Sequence, residues 1–162
     1  MATSGKEDDS PLPFWRTFLE ESSQPFQAEP VEAPSEQALR QLYTSVLANY
    51  GHSCAMTGQQ FGAPEALLHE QLQVVAIRPL VLGGALHVSN FLSLSAQAAS
   101  AFRGGLLTVG KNLELIADLS RIDPELLESL NPIGRLRAPE PAIAQPDPLA
   151  LAFHRANIFL AF

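Results

Sequence analysis

His87 and Asn90 stand three residues apart in the loop after the apolar run QVVAIRP, and their types are those that move protons or hold cations. An imidazole titrates near neutral pH and ligates metals, and a carboxamide oxygen can complete a coordination shell. The run before them, residues 73–79, supplies no nucleophile, acid or base. His69 and His87 would make a two-histidine metal site, yet no carboxylate pair sits at ligand spacing to complete it. His87 alone would be a displaced general base, against the simpler reading of a solvated loop histidine, and His52 offers less. Ser93, Ser95 and Ser100 have no histidine at triad spacing. Gly83-Gly84 and Gly104-Gly105 read as turn glycines without the context of a nucleotide-binding loop. Cys54 is the sole cysteine, which excludes an internal disulfide and a multi-cysteine zinc knuckle; it reads as an inert core side chain.

These residues need elements to hold them. Ser35 is a suitable N-cap, Glu36 suits the first turn, and Leu39, Leu42, Tyr43, Val46, Leu47 and Tyr50 recur at helical spacing until Gly51 stops the run. SCAMTGQQFGAPEALL then predicts a short strand and turn, LQVVAI a buried strand, and GG with HVSN a loop. FLSLSAQAASAF fits one helix of small residues, with Asn90 most simply its N-cap. LLTVGKNLELIADL predicts a hairpin turning at Gly110, Lys111 and Asn112. Asp123-Pro124 opens a short helix, and DPLALAFHRANIFLAF a last one that buries Leu151, Phe153, Ile158 and Phe159.

Charge divides the chain. It has 162 residues and a net charge of −7, but residues 1–38 hold two basic and eight acidic side chains, so the rest carries only about −1. An acidic arm on a nearly neutral domain is a poor footprint for nucleic acid, because phosphate affinity comes from Lys and Arg. Residues 24–34 form a Pro-rich acidic linker. Ahead of it, Phe14, Trp15, Phe18 and Leu19 share one face of a short helix, suited to docking on the domain, on a partner or on a second copy. No apolar stretch approaches the roughly 20 residues that span a bilayer, and MATSGKEDDSP lacks the basic and apolar regions of a signal peptide, so a cytoplasmic protein is expected.

Five segments give a further expectation. Residues 50–58 read YGHSCAMTG, 72–79 LQVVAIRP, 84–94 GALHVSNFLSL, 99–106 ASAFRGGL and 154–159 HRANIF. In this order and spacing they resemble the HNH endonuclease superfamily, in the branch that reads roughly Y-x-x-R-C-A-V-T-G, L-E-A-A-H-I-x-P, G-x-x-x-x-N-G-L-x-L and H-x-x-F-D-x-G-L, closing near H-R-x-x-x-F. The resemblance implies a strand, loop and helix gripping one divalent metal such as magnesium against the scissile phosphate, with a strand-end histidine as general base. It also implies what has been replaced. The general base falls on Ala76, the preceding glutamate on Gln73, the helix histidine on Ala99 and the following aspartate on Arg103. Only the asparagine remains, as Asn90. Losing a general base costs ~10²–10⁴ in rate, and losing the metal removes the activated water as well.

The expected fold is therefore α+β: an HNH-like ββα-metal core with flanking helices, a β-hairpin and a C-terminal helix, behind an extended N-terminal arm. Residues 1–34 form that arm, its aromatic helix at 13–22, and residues 35–162 the degenerate domain. The expected function is a catalytically inactive nuclease-like module that binds a protein partner or a second copy through Phe14, Trp15, Phe18 and Leu19, with no cofactor. A non-cleaving DNA-binding protein is one alternative, with Arg78, Arg103, His154 and Arg155 as contacts. An endonuclease using His87 or His154 in an altered site is another. Arg135 and Arg137 extend the basic strip but read more simply as a solvated face.

Overall fold

The computed structural model describes residues 35–62 and 71–159. The N-terminal arm, with Phe14, Trp15, Phe18, Leu19 and the helix expected at 13–22, lies outside them, as does His69.

Helix α1 spans Glu36–Asn49. Ser35 caps it by accepting the Ala38 N–H at 3.0 Å, and Gly51 leaves it with φ +63°, a conformation that costs glycine little. Leu39, Val46, Leu47 and Tyr50 are buried along one stripe, while Leu42 and Tyr43 are half-buried. A tight turn follows, in which Ser53 bridges Gln60 and the Gly58 N–H donates to the Cys54 carbonyl at 2.8 Å. Cys54, Ala55 and Met56 are buried there.

Strand β1 (Leu72–Ala76) pairs antiparallel with β2 (Phe91–Ser95), in register from Leu72 opposite Ser95 to Ala76 opposite Phe91. The expectation of one helix through FLSLSAQAASAF fails at this point. Residues Phe91–Ser95 are extended and buried throughout, and helix α2 begins only at Ala96, running to Arg103. The other edge of β2 is taken by the turn before β1: the Ala55 N–H donates to the Ser93 carbonyl at 2.8 Å, and Ser93 Oγ donates to the Ser53 carbonyl at 2.8 Å. A strand buried on both faces loses the alternation that would identify it, so its small residues merge with those of the helix behind it. Ser95 ends β2 and caps α2, accepting the Ala98 N–H at 3.3 Å.

The expected hairpin forms from β3 (Leu107–Val109) and β4 (Leu115–Ala117), with Gly110 to Leu113 making the turn. Helix α3 (Pro124–Ser129) starts on the Asp123 cap with Pro124 in its first turn. Helix α4 spans Pro148–Asn157 on the Asp147 cap. It stops short of the chain end expected for it: Leu151 is buried, but Phe153, Ile158 and Phe159 are only half-buried.

The result is an α+β fold. Helix α2 lies against β1 and β2, α1 against β2, and α4 against β3, around a core that includes Leu47, Ile77, Leu92, Leu94, Phe102 and Leu107. Among the described residues no helix is long and apolar enough to cross a membrane.

Candidate functional site

Fourteen residues, 77–90, connect β1 to β2, crossing two short 3-10 turns, Leu80–Leu82 and Val88–Asn90. Asn90 closes this loop. Its Oδ1 accepts the Arg78 N–H at 2.9 Å, and its Nδ2 donates to the carbonyls of Arg78 and Ala85, both at 3.0 Å. The side chain is 2% exposed. It is therefore not the N-cap expected of it; that role belongs to Ser95, because the helix begins six residues later. Gly84 permits the closure, since a Cβ there would run into the Arg78 carbonyl oxygen and crowd Asn90 Nδ2.

Of the four positions singled out by the sequence resemblance, Gln73, Ala76 and Arg103 line one cavity along β1, whereas Ala99 is buried within α2 and does not reach it. Arg103, the last residue of α2, donates from Nη2 to Gln73 Oε1 at 2.8 Å. Two of the positions that the sequence resemblance expects to be charged groups, Gln73 and Arg103, thus bond each other. Ala76 is half-buried at the strand end, while Ala99 is 0% exposed. The helix position is filled in by the core, so a histidine there would have no space.

A divalent metal does not fit this set. Two methyl groups offer no lone pair, the Asn90 carboxamide is consumed by the loop backbone, and the guanidinium on Gln73 repels a cation. Among the described residues no group of three or more His, Cys, Asp or Glu side chains is placed to hold an ion. His87 lies away in the loop, exposed, its Nδ1 accepting the Ser89 N–H at 3.1 Å and meeting Ser89 Oγ at 2.8 Å. His52 sits in the turn after α1 with φ +56°. Cys54 is buried, with Sγ 3.6 Å from Ser95 Oγ.

His154, for which packing is the simpler reading and phosphate contact the alternative, lies in the core. It is 1% exposed and stacks on Phe102 with ring centroids 3.7 Å apart and planes within 6°. Nε2 lies 2.9 Å from the Phe102 carbonyl oxygen, which can only accept, so Nε2 carries the hydrogen. Nδ1 then accepts from the Thr108 hydroxyl at 2.7 Å. Burial pushes the imidazole down from 6.5 to about 4, and the ring is neutral at pH 7. Neither nitrogen remains for a ligand. The Arg155 Nη1 donates to the Val109 carbonyl at 2.8 Å, and Arg78 lies over the Phe153 ring at 4.3 Å with Nε donating to the Leu82 carbonyl at 2.6 Å. Arg135 and Arg137 are exposed.

What sequence reasoning missed is the cavity. A space of about 660 Å³ wraps the outer edge of β1. Tyr43, Leu47 and Phe91 line it on the α1 side, and Phe102, Arg103 and Ile158 on the other, with Gln73 and Ala76 along β1 between them. Its walls are mainly apolar, and burial raises the Tyr43 hydroxyl to about 12. No local signal marks such a groove, because its walls come from four separate elements.

No protein-family model matches the chain, and no curated protein matches it. Among solved structures it is similar to a modification dependent TagI restriction endonuclease, with 22% sequence identity and a TM-score of 0.57. The likeness covers 83% of this chain and 41% of that chain. The chain thus shares its α+β fold with less than half of that enzyme.

Proposed function

We propose that this chain is a degenerate nuclease-like module, in which β1, the clamped loop, β2 and α2 are the ββα scaffold of an HNH site that no longer hydrolyses phosphodiesters, retained as a protein-binding surface. The observation that carries this reading is the Arg103 to Gln73 hydrogen bond beside Ala76 and the buried Ala99. A removed ligand leaves a gap that substitution could refill; a positive side chain bonded across the site and a packed helix position do not. Catalysis by water needs a proton acceptor and a Lewis acid, and neither the strand end nor the helix supplies one. Binding in place of chemistry is supported by the apolar character of the cavity beside these positions.

The test is a nicking and retention assay on supercoiled DNA with magnesium, manganese, nickel or zinc. The expected result is neither cleavage nor retention. Metal-dependent nicking that co-elutes with the protein overturns the reading. Retention without nicking, lost at raised salt and weakened by Arg103→Ala, marks a non-cleaving DNA-binding protein instead.

A further inference from the structure

Among the described residues, strand β1 is paired along one edge only. The Ala96 N–H donates to the Gln71 carbonyl and the Ile77 N–H to the Asn90 carbonyl, both across to the β2 side. Bonded and non-bonded pairs alternate in an antiparallel ladder, so Gln73 and Val75 also face β2, and the N–H and C=O groups of Val74 and Ala76 point outward. Among the described residues nothing bonds those groups, and no strand flanks β1 on that side. The strand reads LQVVA, without the lysine or proline that usually guards an edge. Both half-buried residues line the 660 Å³ cavity, so the edge lies at the bottom of an apolar groove. Such a groove suits a chain that supplies backbone hydrogen bonds along the edge and apolar side chains to either wall.

We infer that residues 14–19 of the same chain dock along this edge and cover the former catalytic face. The inference rests on reading that face as a binding surface. Three observations select this occupant. The first is reach: residues 1–34 lead directly into Ser35, the cap of α1, whose Tyr43 and Leu47 form one groove wall, about 12 and 18 Å along the helix. The sixteen residues from Leu19 to Ser35 span up to about 50 Å when extended. The second is composition: FWRTFL is proline-free and holds the sole tryptophan and two phenylalanines, and docked as a strand, in place of the helix its spacing suggests in isolation, it would turn Phe14 and Phe18 to one wall and Trp15 and Leu19 to the other. The third is charge. Arg103 at the groove rim has no acidic partner among the described residues, whereas Asp8, Asp9, Glu20 and Glu21 flank the aromatic stretch.

Trp15 makes the test direct. In the full chain its emission should be blue-shifted and shielded from acrylamide, independent of protein concentration, with light scattering reporting one chain. Ala76→Glu, at the groove floor, should shift the emission to the red. In a Phe14→Asp/Phe18→Asp variant, which leaves the described domain untouched, the Val74 and Ala76 amides should exchange with solvent on the order of tenfold faster or more. Solvent-exposed Trp15 overturns the inference, as does burial that neither variant disturbs. Burial that grows with concentration and doubles the mass overturns it in favour of a second copy. DNA nicking is read separately: docking without nicking supports both readings, nicking with docking intact removes only the catalytic one, and exposed Trp15 without nicking removes only this one.

Discussion

Arg103 Nη2 and Gln73 Oε1 meet at 2.8 Å across thirty residues of sequence, joining the end of α2 to the middle of β1. Arg103 is exposed, so the bond works against solvent and contributes little to stability. Arg103→Ala and Gln73→Ala should each cost below about 1 kcal/mol, with a coupling of about 0.5 kcal/mol in a double-mutant cycle followed by urea unfolding. A coupling several times larger would mean that the pair organises the fold, which its exposure argues against.

Ala76 and Ala99 should respond very differently to substitution by histidine. Ala76→His enters the half-open groove and is expected to change stability by no more than about 1 kcal/mol. Ala99→His forces an imidazole into a position with no exposure, and a cost of about 3 kcal/mol or more follows from overpacking and desolvation. Equal urea midpoints for the two variants would contradict the packing described for α2.

Asn90 holds the loop through three hydrogen bonds to its backbone. Asn90→Ala leaves the Arg78 N–H and two carbonyls without this partner and should destabilise by about 3 kcal/mol. Asn90→Asp should be worse still, because it sets an acceptor against the Arg78 and Ala85 carbonyls. Thermal melts of both variants, with and without magnesium, check this; a loss of stability confined to the metal-containing sample would return Asn90 to a ligand role.

The His154 ring sets a pH dependence. Its folded value of about 4 lies below the ordinary 6.5, so between those values the unfolded chain binds a proton that the native chain refuses. Stability should therefore fall as pH drops from about 6.5 to about 4, by up to about 3 kcal/mol, and this contribution should flatten below. Asp118, held low by Arg121 and Ser120, adds its own loss further into acid. Urea midpoints at pH 7.5, 6 and 5 isolate the histidine part, and His154→Gln should flatten that window while lowering stability at every pH.

Tyr50 carries the opposite kind of group. Its hydroxyl is buried with no hydrogen-bond partner among the described residues, and burial raises its pKa. Tyr50→Phe removes an unpaired polar atom without changing the packing and should be neutral or stabilising by up to about 1 kcal/mol. A marked loss in the melting temperature would reveal a partner for the hydroxyl.

The sequence by itself determined the elements whose signals are local. Ser35, Asp123 and Asp147 announce the starts of three helices through short-range caps, Gly110 and its neighbours announce the hairpin turn, and the order of segments announced an α+β arrangement. It also showed that Ala76 and Ala99 carry no reagent, since side-chain chemistry needs no coordinates. Only the tertiary structure decided the rest. Whether Phe91–Ser95 is strand or helix depends on burial from both faces, which erases periodicity. Whether Asn90 caps a helix or closes a loop depends on Arg78 and Ala85 folding back to it, and whether His154 meets solvent depends on Phe102 and Thr108 arriving from elsewhere. The groove beside β1 exists because α1, β1, α2 and the end of α4 converge there, and convergence of distant segments leaves no pattern in any one of them.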